Sequence, residues 1–148
     1  ICEALKELAK VNSNINIVYP VHLNPKVRVP VNKILSGINN IHLIEPLQYA
    51  EFIYLMSKCY LILTDSGGIQ EEAPNLGKPV LLMRETTERP EVVATGTVKL
   101  VGADKKNIVK EVQILLDDLS EYQKMSKSYK PYGIGYASKK IVKIIKEL

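Results

Sequence analysis

The sequence predicts a doubly wound α/β fold, a parallel sheet covered by helices on both faces. Three observations carry this. Short apolar runs alternate with amphipathic stretches along all 148 residues. The runs Tyr60-Leu61-Ile62-Leu63-Thr64 and Pro79-Val80-Leu81-Leu82-Met83 lack the polar alternation of a half-exposed strand, so both of their faces are buried. Polar clusters follow the runs, at the strand ends where such sheets bind ligands.

The elements follow in order. Residues 1–11 read as a helix, with Ile1, Ala4, Leu5, Leu8 and Val11 on one face. Asn14 to Tyr19 reads as a strand stopped by Pro20. Residues 26–36 read as a helix disturbed by Pro30, and Ile41 to Ile44 as a short strand. Tyr49 to Cys59 is helical, Tyr60 to Thr64 a strand, and Ile69 to Leu76 a short helix behind two glycines. Pro79 to Met83 is a buried strand. Arg89 to Thr95 is a short helix that takes Pro90 in its first turn, where the missing N–H costs nothing. Thr97 to Val101 is the fifth strand. Asn107 to Leu116, Ser120 to Ser128 and Ala137 to Leu148 complete a helical tail, the last an amphipathic helix expected to pack on the domain.

The length fits one domain, residues 1–148. Its mass implies roughly 7,600 Å² of folded surface against roughly 24,000 Å² unfolded. Apolar residues at 46% and charged residues at 24% exclude collagen-like, disordered and disulfide-dense classes. No apolar run approaches the ~18 residues of a membrane span. The chain shows no signal-peptide pattern and no initiator Met, so a fragment is expected. It also opens on a helix, where a βαβ sheet opens on a strand. The domain's first strand is therefore expected to be missing, and in the usual order that strand lies mid-sheet.

Net charge is +4 and comes from the tail. Residues 1–100 carry ten basic and ten acidic side chains, and residues 101–148 carry ten lysines and six acids. Those lysines alternate with a helical apolar pattern, which reads as a solvated helix face rather than a nucleic-acid patch or membrane-surface helix. Cys2 and Cys59 are read as free, at least half-buried thiols in a reducing compartment, and no metal site is expected.

Three clusters carry candidate chemistry. In Thr64-Asp65-Ser66-Gly67-Gly68-Ile69-Gln70-Glu71-Glu72, the glycines allow a sharp turn and close approach by a ligand. Ser66 adds a hydroxyl, and Glu72 has the reach to accept from ribose hydroxyls. A tight strand–helix turn without ligand explains the same residues. In Met83-Arg84-Glu85-Thr86-Thr87-Glu88-Arg89-Pro90-Glu91, Arg89 has the donor geometry for a diphosphate. Surface Arg–Glu pairing is the alternative. His22, in Pro20-Val21-His22-Leu23-Asn24-Pro25, reads as an acid–base group, a ligand contact or a satisfied loop histidine. His42 reads as structural, and Tyr129, Tyr132 and Tyr136 as anchors for the tail.

Leu63 to Pro74, Leu76-Gly77-Lys78-Pro79-Val80-Leu81 and Thr86-Thr87-Glu88-Arg89-Pro90-Glu91 together resemble the non-hydrolysing UDP-N-acetylglucosamine 2-epimerases. The Pro20–Pro25 segment and Lys130-Pro131-Tyr132-Gly133 fit the same family. The resemblance implies a Rossmann-like domain forming the C-terminal half of a two-domain GT-B arrangement. It implies that Ser66, Gly67 and Gly68 contact the diphosphate, that Glu72 binds the ribose and that Arg89 lines the UDP site. It places Phe52 near the uracil. Leu47 matches a base-contacting position that is glutamine in some members, where leucine offers only backbone and packing. It assigns His22 to an allosteric UDP-sugar site in the members that have one. No cofactor is implied, and the catalytic acids belong to the N-terminal domain, so this chain alone is expected to be inactive. The resemblance further implies a cytoplasmic enzyme of surface-polysaccharide synthesis, a homodimer at full length. The donor domain of a GT-B glycosyltransferase and a non-catalytic nucleotide-sugar module are the alternative readings.

Overall fold

The computed structural model describes residues 1–127 and 135–147. The Lys130–Gly133 segment, Tyr129, Ser128 and Leu148 lie outside the described residues.

Eight helices and five strands are described. They are α1 (Cys2–Val11), β1 (Ile17–Pro20), α2 (Pro25–Leu35), β2 (Ile41–Ile44), α3 (Tyr49–Lys58), β3 (Ile62–Thr64), α4 (Gly67–Glu72), β4 (Val80–Leu82), α5 (Pro90–Ala94), β5 (Val98–Leu100), α6 (Lys105–Asp117), α7 (Leu119–Met125) and α8 (Ala137–Lys146). A 3-10 turn, Ala73–Leu76, follows α4 and stops at Gly77, whose φ of 66° lies in the left-handed region glycine tolerates.

Local chemistry explains the boundaries. Asn24 caps α2 by accepting from the Lys26 N–H at 2.9 Å, and Pro25 opens the helix. The helix runs through Pro30, so the expected disturbance does not end it. Asp104 caps α6 through the Asn107 N–H at 2.8 Å, starting that helix two residues before the expected Asn107. All five strands pair in parallel, and four are shorter than their apolar runs. β1 begins three residues later than expected, because residues 13–14 form a turn, and it includes Pro20 instead of stopping before it.

The strands form two sheets, β1–β2 and β3–β4–β5, where one continuous sheet was expected. No backbone ladder joins β1 to β3. Packing joins them instead. Helix α1 sends Ala4 and Leu8 into a cluster with Leu81, Val101, Ile108, Val112 and Leu115, and sends Leu5 and Ala9 into another with Val21, Val31, Leu35 and Ile41. Ile17 of β1 and Leu63 of β3 contact both clusters. A third cluster, on the other face of the larger sheet, holds Met56, Ala73, Val80, Leu82, Val92 and Val98.

Helix α8 departs from expectation. None of its residues is buried, and Ile141, Val142, Ile144 and Ile145 are each at least half exposed. Tyr136 is also half exposed, with the Lys139 ammonium 5.2 Å from its ring centre, so it does not anchor the tail by burial. The accessible surface is 9473 Å², above the roughly 7,600 Å² expected of a compact chain of this mass. No helix among the described residues is long and apolar enough to cross a membrane.

Leu81 is fully buried at the centre of the larger sheet. Leu81→Ala should lower unfolding stability by about 3 kcal/mol, the usual cost of a truncated core leucine. Denaturant titration should show a lower midpoint with an unchanged slope.

Candidate functional site

Two loops meet beyond the carboxyl ends of β3 and β4. The β3 loop leads directly into α4. Thr64 is buried at the strand end, and its hydroxyl accepts from the Ser66 N–H at 3.0 Å, turning the chain toward the helix. Gly67 and Gly68 are the first two residues of α4 rather than a turn ahead of it. Neither has a positive φ. A methyl added at Gly68 would meet nothing within 4 Å, and one at Gly67 would meet only Arg89 Nη1 at 3.7 Å. The turn therefore does not need glycine for its own backbone or packing. That removes the conformational explanation of this glycine pair.

The β4 loop brings in Arg89, which stands immediately before α5. Its Nε pairs with the Glu71 carboxylate, and its Nη1 faces the Gly67 turn. The expected Arg–Glu pairing is also present, since Arg84 Nη1 contacts both Glu88 carboxylate oxygens at 3.1 Å. A backbone N–H bond at Glu88 and the Arg84 charge hold the Glu88 carboxyl below its ordinary range. Glu71 pairs with Arg89 Nε, while Nη1 lies 4.0 Å from a Glu88 carboxylate oxygen and on the side of Gly67.

Glu72 ends α4 and is half-buried, and its carboxylate makes no hydrogen bond or ion pair among the described residues. The Ser66 hydroxyl likewise makes no hydrogen bond among them. Phe52 is half-buried against the cluster that holds Met56, Ala73 and Val80. Leu47 is half-buried in the loop before α3. The structure thus brings Ser66, Gly67, Gly68 and Arg89 together, with Glu72 at the far end of the same short helix.

His22 belongs elsewhere, beyond β1 on the smaller sheet. It is exposed, and its Nδ1 accepts from the Asn24 N–H at 3.1 Å, which leaves the proton on Nε2 when the ring is neutral. Nearby, burial raises the Tyr19 phenol above its ordinary range, with smaller contributions from Cys2 and Asp65. His42 bonds the Asn16 side chain at 2.9 Å, a structural contact. Cys2 and Cys59 are free, and burial raises the Cys59 thiol. No group of metal-ligating side chains is found among the described residues.

Two contributors escaped sequence reasoning. Gln70 is fully buried within α4, and Thr87 reaches it from the β4 loop with a 2.6 Å hydrogen bond. A signal existed: Gln70 shares a helical face with buried Ala73 and Pro74, where a polar side chain needs partners.

A family model described as UDP-N-acetylglucosamine 2-epimerase matches residues 1–146. The chain belongs to the UDP-N-acetylglucosamine 2-epimerase family. A UDP-N-acetylglucosamine 2-epimerase from Campylobacter jejuni is 66% identical over 145 residues, 98% of this chain and 38% of the relative. One from Escherichia coli K12 is 59% identical over 146 residues, 99% of this chain and 39% of the relative. The crystal structure of the Neisseria meningitidis enzyme bound to UDP-GlcNAc matches with a TM-score of 0.95 at 53% identity, covering all of this chain and 40% of that one. The chain spans about two fifths of the length of these epimerase relatives.

Gly68→Ala should leave the unfolding midpoint unchanged, or raise stability by up to about 1 kcal/mol through lost unfolded-state freedom. Gly102→Ala is the contrast. That residue has φ 65°, and a Cβ there would lie 2.6 Å from the Glu85 carboxylate. It should destabilise by more than about 1 kcal/mol in the same denaturant titration.

Proposed function

We propose that this chain is the UDP-binding half of an enzyme that interconverts UDP-N-acetylglucosamine and UDP-N-acetylmannosamine. The observation that carries the reading is Arg89 turned toward a Gly67-Gly68 pair that the fold itself does not require. A flat, side-chain-free surface beside a guanidinium edge suits a diphosphate, whose oxygens take paired N–H donors at close range. The Ser66 hydroxyl adds a donor. Glu72, with its carboxylate uncommitted, accepts from the ribose hydroxyls. Phe52 and Leu47 bound the base end, Leu47 through packing alone. His22, on the other sheet, is assigned to an allosteric sugar-nucleotide contact rather than to the diphosphate.

The reaction inverts C2 of the sugar. A base removes the C2 proton while the C1–O bond breaks, releasing UDP and leaving a glycal. A proton returns to the opposite face of C2 and UDP re-adds at C1. The departing UDP gains negative charge, and Arg89 stabilises that charge as it develops. The proton-transfer groups are assigned to the N-terminal domain, so residues 1–148 act as one partial Rossmann-like unit that binds but does not turn over. Cytoplasmic location, homodimer formation and a place in surface-polysaccharide synthesis rest on the family resemblance.

Calorimetric titration with UDP tests the proposal, with NAD and ATP as controls. UDP should bind saturably and the controls should not. Arg89→Ala, Glu72→Ala and Gly68→Ala should each weaken UDP by at least about tenfold, the value of one charge-assisted contact or its steric loss. Absence of UDP binding by both the folded chain and the full-length protein would overturn the reading. On full-length protein, C2-epimer exchange should be the activity, and sugar transfer to an acceptor would point to a glycosyltransferase instead.

A further inference from the structure

We propose that Gln70 and Thr87 are positioning residues that fix the spacing between Arg89 and the Ser66-Gly67-Gly68 turn. The inference rests on the UDP reading above and deepens it. The Gln70 side chain is fully buried and spends both ends on backbone-anchored partners. Its Nε2 donates to the Ser66 carbonyl at 3.3 Å, and its Oε1 accepts from the Thr87 hydroxyl at 2.6 Å. The Thr87 oxygen in turn accepts from the Arg89 N–H at 3.1 Å. A continuous chain of hydrogen bonds therefore runs from the backbone of Ser66 to the backbone of Arg89.

The Glu71–Arg89 ion pair is a second restraint of a different kind. It acts on the guanidinium, is about one third exposed on each side and is weakened by salt. The Gln70–Thr87 chain is neutral and mostly out of water, so it holds the backbone of residue 89 regardless of ionic strength. One helix thus controls both where Arg89 starts and where its charge points. A buried amide is costly unless its hydrogen bonds are made, and leucine or methionine would fill the same volume without that requirement. What glutamine adds at position 70 is a fixed distance between the loops that follow two different strands.

The test compares UDP with UMP, because the spacing bears on the diphosphate and not on the nucleoside. Calorimetry gives both dissociation constants for the 148-residue chain and for the full-length protein. Thr87→Val removes the hydroxyl from both of its hydrogen bonds, and Thr87→Ser restores it. Thr87→Val should reduce the preference for UDP over UMP by about tenfold, and Thr87→Ser should keep it, as expected when one charged contact is displaced. If Thr87→Val does not fold, Gln70→Met makes the same comparison at similar volume. Equal weakening of UDP and UMP, with their ratio unchanged, would show a merely structural role and overturn the inference. Failure of the unsubstituted full-length protein to prefer UDP over UMP is a distinct result. It would overturn the diphosphate reading itself, and this inference with it.

Discussion

Val80, Leu81 and Leu82 are all fully buried, and a strand with no exposed face constrains everything around it. Side chains alternate across the sheet, so Val80 and Leu82 face one cluster while Leu81 faces the other. Both faces then need apolar cover. α1 and α6 supply it on one side. α3, α5 and the 3-10 turn supply it on the other. Parallel pairing to β3 and β5 follows, because every connection must cross the sheet through one of those covering helices. The loops beyond the carboxyl ends of β3 and β4 are then neighbours by construction, and the glycine turn and Arg89 meet there.

What the strands bring near, the side chains adjust. The Arg89 guanidinium is held by Glu71, its backbone by Thr87, and Thr87 by Gln70. All of these originate in the last turn of one short helix or in one loop. The arrangement separates two tasks that a surface arginine usually confuses, namely holding the chain and presenting charge. Glu72, one residue further along α4, is left out of that network and keeps its carboxylate available.

Much of this was legible in the sequence, for identifiable reasons. Pro79 to Met83 announces a buried strand because five apolar residues in a row fit no half-exposed element. Arg89 before Pro90 announces a helix entrance because proline suits the first helical position. Of the two roles read for the glycines, a sharp turn and close approach by a ligand, the backbone does not require the first. A Gly-Gly pair reads as a turn, and only the observed φ angles show that the backbone asks for nothing special there. The Gln70–Thr87 contact spans 17 residues of sequence, so no local pattern reports it. The division into two sheets was also hidden, since apolar runs show that strands exist but not which edges find partners. The exposure of α8 shows the same limit, because an amphipathic pattern states a need for cover without naming what provides it.

The last residue of β1 bears on how this molecule behaves among copies of itself. Ile17 and Val21 donate their N–H groups toward β2, so by alternation Val18 and Pro20 face the opposite, unpaired edge. Proline has no N–H, and that edge therefore presents Val18 as its donor across the strand. An exposed strand edge is ordinarily a template for stacking and aggregation, and proline on an edge is one of the devices that blunts it. Any strand that does lie alongside β1 must supply its own order near Pro20, through its helix connections and its packing.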